Sequence, residues 1–206
     1  MSITTILFDV GGVIIAPLDA RVAAERYQRQ AQRLGLENGD EILARFFAGE
    51  EWRAARTGGI SWAQLLDAVL SPFGLTDAAG QAQFASELFE FEGVLPEMTA
   101  LIRSLHGNYQ LGILSNASDR LEGRLDQFGL TRYFDPIVNS HRIGVAKPDE
   151  EAYQITLQKL NVPAEQVLFI DDRERNTVVA ESLGIRSYLF TTVSELKAEL
   201  ESQAIL

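Results

Sequence analysis

The chain has 206 residues, no cysteine and a net charge of −11, a length that supports one sizeable core or a core with a small second lobe. The absence of cysteine excludes disulfides and thiolate metal sites, and the acidic balance repels nucleic-acid backbones and anionic membranes, so neither is an expected partner. No apolar run approaches the roughly 20 residues that a membrane span needs, and no basic stretch precedes the first apolar run, so the expectation is a cytoplasmic protein without a signal peptide.

The first predicted element is the apolar run Ile6-Leu7-Phe8, which leads into Asp9, Val10, Gly11 and Gly12. A run this short, bounded by polar turns, reads as a strand buried on both faces. A carboxylate leaving such a strand into a glycine turn can project into a cleft, or it can simply cap the turn. The stretch 16–93 has a different character and contains no convincing strand. Ile42, Leu43, Phe46 and Phe47 make one amphipathic face. Trp62, Leu65, Leu66, Val69, Leu70 and Phe73 make another, and Phe84, Leu88 and Phe89 a third. An all-helical insert is therefore expected, its aromatics mostly core and a few of them lining a pocket. Arg53 and Arg56 fall between two of these helices, where they either meet a substrate anion or face solvent.

From Leu95 onward helical and strand patterns alternate. Met98, Leu101, Ile102 and Leu105 follow helical spacing. Leu111-Gly112-Ile113-Leu114-Ser115 reads as a strand running into Asn116, Ala117 and Ser118. A hydroxyl and backbone N–H groups there can bind phosphate oxygens, or Ser118 or Asp119 can cap a helix. Ile137-Val138-Asn139 is the next strand, followed by Gly144 to Asp149. Within that loop Lys147 is one of three lysines in the chain. Set against Pro148, it is either a compact cation for a carboxylate and a phosphoryl oxygen or an exposed loop lysine. Asp149 is placed to cap the helix that carries Tyr153, Leu157 and Leu160. Val167-Leu168-Phe169-Ile170 then ends in Asp171 and Asp172. Adjacent carboxylates repel, and a hard divalent cation is their natural partner. Val179 and Leu183 continue a helix that Gly184 stops, and Ser187-Tyr188-Leu189-Phe190 is a weaker fifth strand. This order predicts an α/β fold with a doubly wound parallel sheet. Ligands bind such sheets at the carboxyl ends of the strands.

Asp9, Ser115, Lys147 and the Asp171-Asp172 pair with Asn176 occur in the order, spacing and strand context of the haloacid dehalogenase superfamily. The chain resembles that superfamily along essentially its whole length. The resemblance implies a Rossmann-like core from residues 1–15 and 94–206 with a helical cap from residues 16–93. It also implies a magnesium-dependent phosphatase acting on a small phosphorylated metabolite, with Asp9 as the nucleophile that forms an aspartyl-phosphate. On the same resemblance Lys147 is catalytic, and Ser115 and Asn116 bind the substrate. Asp9, the Gly11 carbonyl and Asp172 hold Mg2+, supported by Asp171 and Asn176.

One position departs from the pattern. Most phosphatases of the superfamily carry a second Asp two residues after the nucleophile as general acid and base, and this chain has Gly11. The backbone carbonyl is retained, so metal binding should survive. The side chain, whose help is typically worth ~10²–10⁴-fold, is lost. A similar glycine occurs in a subgroup resembling sugar-phosphate phosphatases and the N-terminal phosphatase of epoxide hydrolases. The sugar-1-phosphates of that subgroup have an acidic anomeric leaving oxygen. Asp19 is a candidate substitute acid, His141 a candidate substrate contact and His106 a structural residue. Two alternatives stand beside the phosphatase: a binding or regulatory protein that has lost turnover, and a metal-independent 2-haloacid dehalogenase, against which the Asp171-Asp172 pair argues.

Overall fold

A computed structural model describes residues 2–206. In chain order its strands are β1 (Thr5–Phe8), β2 (Ala16–Pro17), β3 (Glu92–Gly93), β4 (Gln110–Ser115), β5 (Ile137–Asn139), β6 (Val167–Asp171) and β7 (Arg186–Leu189). Five of them form one sheet in the order β5-β4-β1-β6-β7, and every neighbour in it is parallel. Five helices lie between β2 and β3: α1 (Ala20–Arg33), α2 (Gly39–Phe47), α3 (Glu50–Arg56), α4 (Trp62–Leu70) and α5 (Ala78–Leu88). The remaining helices are α6 (Pro96–Leu105), α7 (Leu121–Gln127), α8 (Ser140–Ile143), α9 (Glu150–Leu160), α10 (Glu174–Ser182) and α11 (Val193–Ser202).

The short apolar runs are buried on both faces because successive side chains of a strand alternate between them. Ile6 and Phe8 of β1, Leu111 and Ile113 of β4, and Leu168 and Ile170 of β6 join one cluster with α6, α7 and α11. Leu7, Leu114, Val167 and Phe169 point the other way, into a cluster with Tyr153 of α9 and Ala180 of α10. The result is a three-layer α/β/α core. Its central strands β4, β1 and β6 end side by side at Ser115, Phe8 and Asp171.

The helical insert has its own core, in which Ile42, Phe46, Leu65, Leu70, Phe84 and Leu88 are fully buried. Four of its five helices begin at side-chain caps. Asp19, Asn38 and Asp77 cap α1, α2 and α5, and Ser61 with Gln64 forms a capping box at α4. Phe46 is the hub, with ring contacts to Phe47, Trp62 and Phe89 at 5.9–6.1 Å.

Several local expectations need correction. The insert is not wholly helical: β2 and β3 pair antiparallel through Ala16↔Gly93 and Pro17↔Glu92, a two-residue ribbon at its two chain crossings. Arg53 and Arg56 lie on α3 rather than between helices. Asp149 occupies the N-cap position of α9 but makes no side-chain cap bond. Neither Ser118 nor Asp119 is the N-cap of α7. Arg120 is, without a side-chain bond, while Ser118 Oγ accepts from the Arg120 N–H. Lys147 does not directly follow a strand end, because α8 intervenes after β5. Among the described residues no helix is long and apolar enough to cross a membrane.

Replacing Phe46 with Ala should remove the hub of the insert. Truncating a fully buried Phe costs about 3–5 kcal/mol, so chemical denaturation of Phe46→Ala should show a loss of that order.

Candidate active site

Asp9 is the first residue past β1, and its N–H donates to the Ile170 carbonyl of β6 at 2.9 Å. That bond fixes the direction in which its carboxylate leaves the sheet. The next residues turn sharply: the N–H groups of Ile14 and Ile15 donate to the Val10 carbonyl at 2.9 and 2.8 Å. Gly12 has φ +83°, and a Cβ there would lie 2.5 Å from Asp172 Oδ2. Glycine is therefore required, both for the left-handed backbone and for the approach of Asp172. At Gly11, by contrast, an added Cβ would meet no atom within 4 Å and φ is not positive. Nothing steric forbids a Cβ at that position.

Lys147 is 1% exposed, and its Nζ lies 3.0 Å from Asp9 Oδ1 and 2.6 Å from Asp171 Oδ2. Its backbone is pinned by Asn116, whose amide donates to the Lys147 carbonyl and accepts from the Lys147 N–H, both at 2.8 Å. Asn116 lines the cavity as expected, but its side chain is committed to Lys147. Asp171 is fully buried. Its oxygens accept from Lys147, from Asn176 Nδ2 at 2.9 and 3.0 Å, and from the Arg173 N–H at 2.9 Å. Asp172, beside it, faces the cavity and is the freer carboxylate.

Asp9, Asp171 and Asp172 each bring a carboxylate oxygen within 4.8 Å of the others, and the one ammonium pairs with the first two. Burial raises the Asp9 carboxyl above its usual range. Lys147 pulls it down, and the Asp171 charge pushes it back up. Burial raises Asp172 as well, reinforced by the charges of Asp9 and then Asp171. Asn176 Oδ1 is a buried acceptor with no hydrogen-bond partner, on the same cavity wall. Hard oxygen donors, excess negative charge and an unmatched acceptor together suit a divalent cation such as Mg2+. Asp9 and Asp172 offer it carboxylate oxygens at the cavity floor.

The cavity above these groups has a volume of 410 Å³. Ser115, Asn116, Lys147, Asp172 and Asn176 are among its core-side residues, and Phe47, Trp52, Arg56, Trp62 and Phe89 line it from the insert. The insert is tied down over the core. The Trp62 N–H donates to Asp119 Oδ1 at 2.8 Å. Arg124 of α7 pairs with Glu92 at 3.1 Å. His141 Nδ1 lies 2.6 Å from the Ala55 carbonyl, so that ring nitrogen must carry the hydrogen.

These contacts reassign several candidates. His141 holds the insert and does not line the cavity. Asp19 accepts from the N–H groups of Arg21 and Val22 as a helix cap and does not line the cavity. His106 packs its ring against Tyr133, a structural role. Arg53 is exposed beside Glu50, whereas Arg56 reaches the cavity. Trp52, Glu92, Arg120 and Arg173 also line it. The sequence offered no sign of them, because only tertiary packing brings them together.

Replacing Lys147 with Met would leave Asp9 and Asp171 buried and facing each other without a cation. Breaking a buried ion pair by removing one partner costs about 3–5 kcal/mol. Urea denaturation of Lys147→Met should show that loss, and an unchanged midpoint would mean the ion triad is not integral to the fold.

Residues 3–184 match the family described as haloacid dehalogenase-like hydrolases. A haloacid dehalogenase-like hydrolase domain-containing protein 3 from Danio rerio is 27% identical over 215 residues, 95% of this chain and 88% of that protein. A pyrimidine 5'-nucleotidase from Escherichia coli is 31% identical over 133 residues, 64% of this chain and 55% of its own length. Among solved structures, a family enzyme from Bacteroides thetaiotaomicron in complex with magnesium and inorganic phosphate has a TM-score of 0.75. It is 24% identical and matches 95% of this chain and 99% of that one. An L-2-haloacid dehalogenase from Xanthobacter autotrophicus has a TM-score of 0.67 at 22% identity, over 99% of this chain and 84% of that one. The structural likenesses speak to the fold. The match over residues 3–184 speaks to descent, and the chain belongs to the haloacid dehalogenase-like hydrolase family.

Proposed function

We propose that the chain is a magnesium-dependent phosphatase that hydrolyses a small phosphate monoester through an aspartyl-phosphate on Asp9. The observation that carries this is the grouping of Asp9 and Asp172 oxygens on a cavity floor held by Lys147. The Bacteroides neighbour solved with magnesium and phosphate and the Escherichia coli nucleotidase support phosphate chemistry. Residues 16–93 serve as the cap over a core of residues 1–15 and 94–206.

In this scheme an Asp9 oxygen attacks phosphorus as the bond to the leaving oxygen breaks. Lys147 keeps Asp9 aimed along that line and, with the Ser115 hydroxyl, stabilises the oxygens of the transferring group. Water then attacks phosphorus and restores the Asp9 carboxylate with release of inorganic phosphate. Asp9, the Gly11 carbonyl and Asp172 would hold Mg2+, and Asp171 and Asn176 keep those ligands in place. When bound, the cation offsets the repulsion between an anionic nucleophile and an anionic phosphate. Gly11 carries no proton for the leaving oxygen, so the first step depends on how well that oxygen bears negative charge.

The likeness to L-2-haloacid dehalogenases gives a second reading, in which Asp9 displaces a halide from carbon without metal. Asp172 beside Asp9 disfavours it, since an unneutralised second carboxylate repels a haloacid anion. Gly11 supports a third, a fold retained for binding with little turnover.

Hydrolysis of p-nitrophenyl phosphate separates these. Wild type should turn over with Mg2+ and stop with EDTA, and Asp9→Asn should lose about 10³-fold or more while its circular dichroism is preserved. Undiminished activity in Asp9→Asn would remove the nucleophile. Halide release from 2-chloropropionate in EDTA would point to dehalogenation. Bound Mg2+ with no turnover on any phosphate ester would point to a binding protein.

A further inference from the structure

We propose that the substrate is an aryl phosphate: a monoester whose bridging oxygen sits directly on a flat unsaturated ring bearing a hydrogen-bond acceptor. This rests on the phosphatase function above and narrows its substrate. Two unrelated features of the chain converge on it.

The first is the leaving oxygen. When the Asp9 oxygen bonds to phosphorus, the phosphorus–oxygen bond breaks and its electron pair stays on the departing oxygen. No side chain at Gly11 protonates that oxygen. A phenolic oxygen spreads the charge into its ring and ionises near pH ~10, well below an ordinary alcohol, so it can depart as the anion and take its proton from bulk water. Water then attacks the phosphorus of the Asp9 acyl phosphate, gives up a proton to solvent and releases inorganic phosphate with the Asp9 carboxylate restored.

The second is the wall opposite. Phe47, Trp52, Trp62 and Phe89 all face the cavity. Phe47 is 40% exposed although it is a large apolar ring. It meets Trp52 edge-on at 5.2 Å and 89°, and Phe89 at 5.7 Å. Phe46 and the Arg120 guanidinium brace Trp62, yet its indole N–H is buried without an acceptor. Arg56 Nε is likewise buried and unpaired. Burial and then the charges of Arg175, Arg173 and Arg53 disfavour its cation, and among the described residues no carboxylate forms an ion pair with it. A flat ring fits an aromatic wall through stacked or edge contacts, and an acceptor on that ring would offer a partner to an unpaired donor of this wall, Trp62 or Arg56. A sugar would need many polar partners, and on this wall Glu92, an acceptor, is already bonded to Arg124.

The test compares kcat/KM, with Mg2+, for phenyl, benzyl, α-glucose 1- and acetyl phosphate. Benzyl phosphate keeps the ring but leaves as an alkoxide. Acetyl phosphate has an acidic leaving group and no ring. Phenyl should exceed benzyl by at least about 100-fold and should also exceed glucose 1-phosphate. Gly11→Asp, whose Cβ would meet no atom within 4 Å, should narrow the phenyl-to-benzyl gap. Phe47→Leu should lower the phenyl-to-acetyl ratio by about 3- to 10-fold, mainly through KM. Trp62→Phe should weaken the preference for 4-carboxyphenyl over phenyl phosphate. Equal rates on phenyl and benzyl phosphate would overturn the proposal, and their joint loss in Glu92→Gln would show that another acid replaces the missing one. Preference for glucose 1-phosphate would overturn it in favour of a sugar. Inertness toward acetyl phosphate as well would instead bring down the phosphatase function itself.

Discussion

Lys147 Nζ lies 3.0 Å from Asp9 and 2.6 Å from Asp171, and the architecture of the site follows from keeping that ammonium dry. A buried cation needs partners, and the two carboxylates come from the ends of β1 and β6, adjacent strands of the sheet. Asn116, just past the end of β4 on the other side of β1, clamps the Lys147 backbone from both its N–H and its carbonyl. Tyr153 of α9 donates to the Asn176 carbonyl, and Asn176 in turn donates to Asp171. The sheet and the layer of α9 and α10 thus meet at the same charge cluster. Asp172 stays unneutralised beside Gly12, which leaves net negative charge facing the cavity.

The core was legible because its chemistry is local. A parallel strand buried on both faces shows as a continuous apolar run, and β1, β4 and β6 are such runs, each ending in or next to the residue that matters. The helical faces of the insert were legible for the same reason: Ile42, Phe46, Leu65 and Leu70 repeat at helical spacing and are fully buried. The ribbon of β2 and β3 was not, because two residues carry no alternation. Lys147 by sequence was as much an exposed loop lysine as a buried cation, and only the fold decides. Asp19, Asp119 and His141 show the converse problem. Each is a polar residue near a motif or a helix start, but one caps a helix and two tie the insert to the core. Distinguishing such roles requires knowing what packs against them.

The two lobes divide the work between them. The core supplies charge: carboxylates, an ammonium and the Ser115 hydroxyl. The insert contributes rings and two unsatisfied donors, Trp62 Nε1 and Arg56 Nε. Contacts from Asp119, Arg124 and His141 set the distance between the lobes and with it the depth of the cavity beneath the rings. Gly11 lies between them and lines the same cavity. Its lack of a side chain shifts part of the chemical demand from the enzyme to the substrate, and the apolar wall is consistent with a substrate able to meet it.

The most direct measurement locates the phosphoryl group. The enzyme with Mg2+ and an aryl phosphate, quenched in acid during turnover and digested, should yield a peptide containing Asp9 that carries one phosphoryl group. Asp9→Asn treated in the same way should yield none. A phosphoryl group on any other residue, or turnover with an Asp9 peptide that never gains one at any quench time, would contradict nucleophilic attack by Asp9.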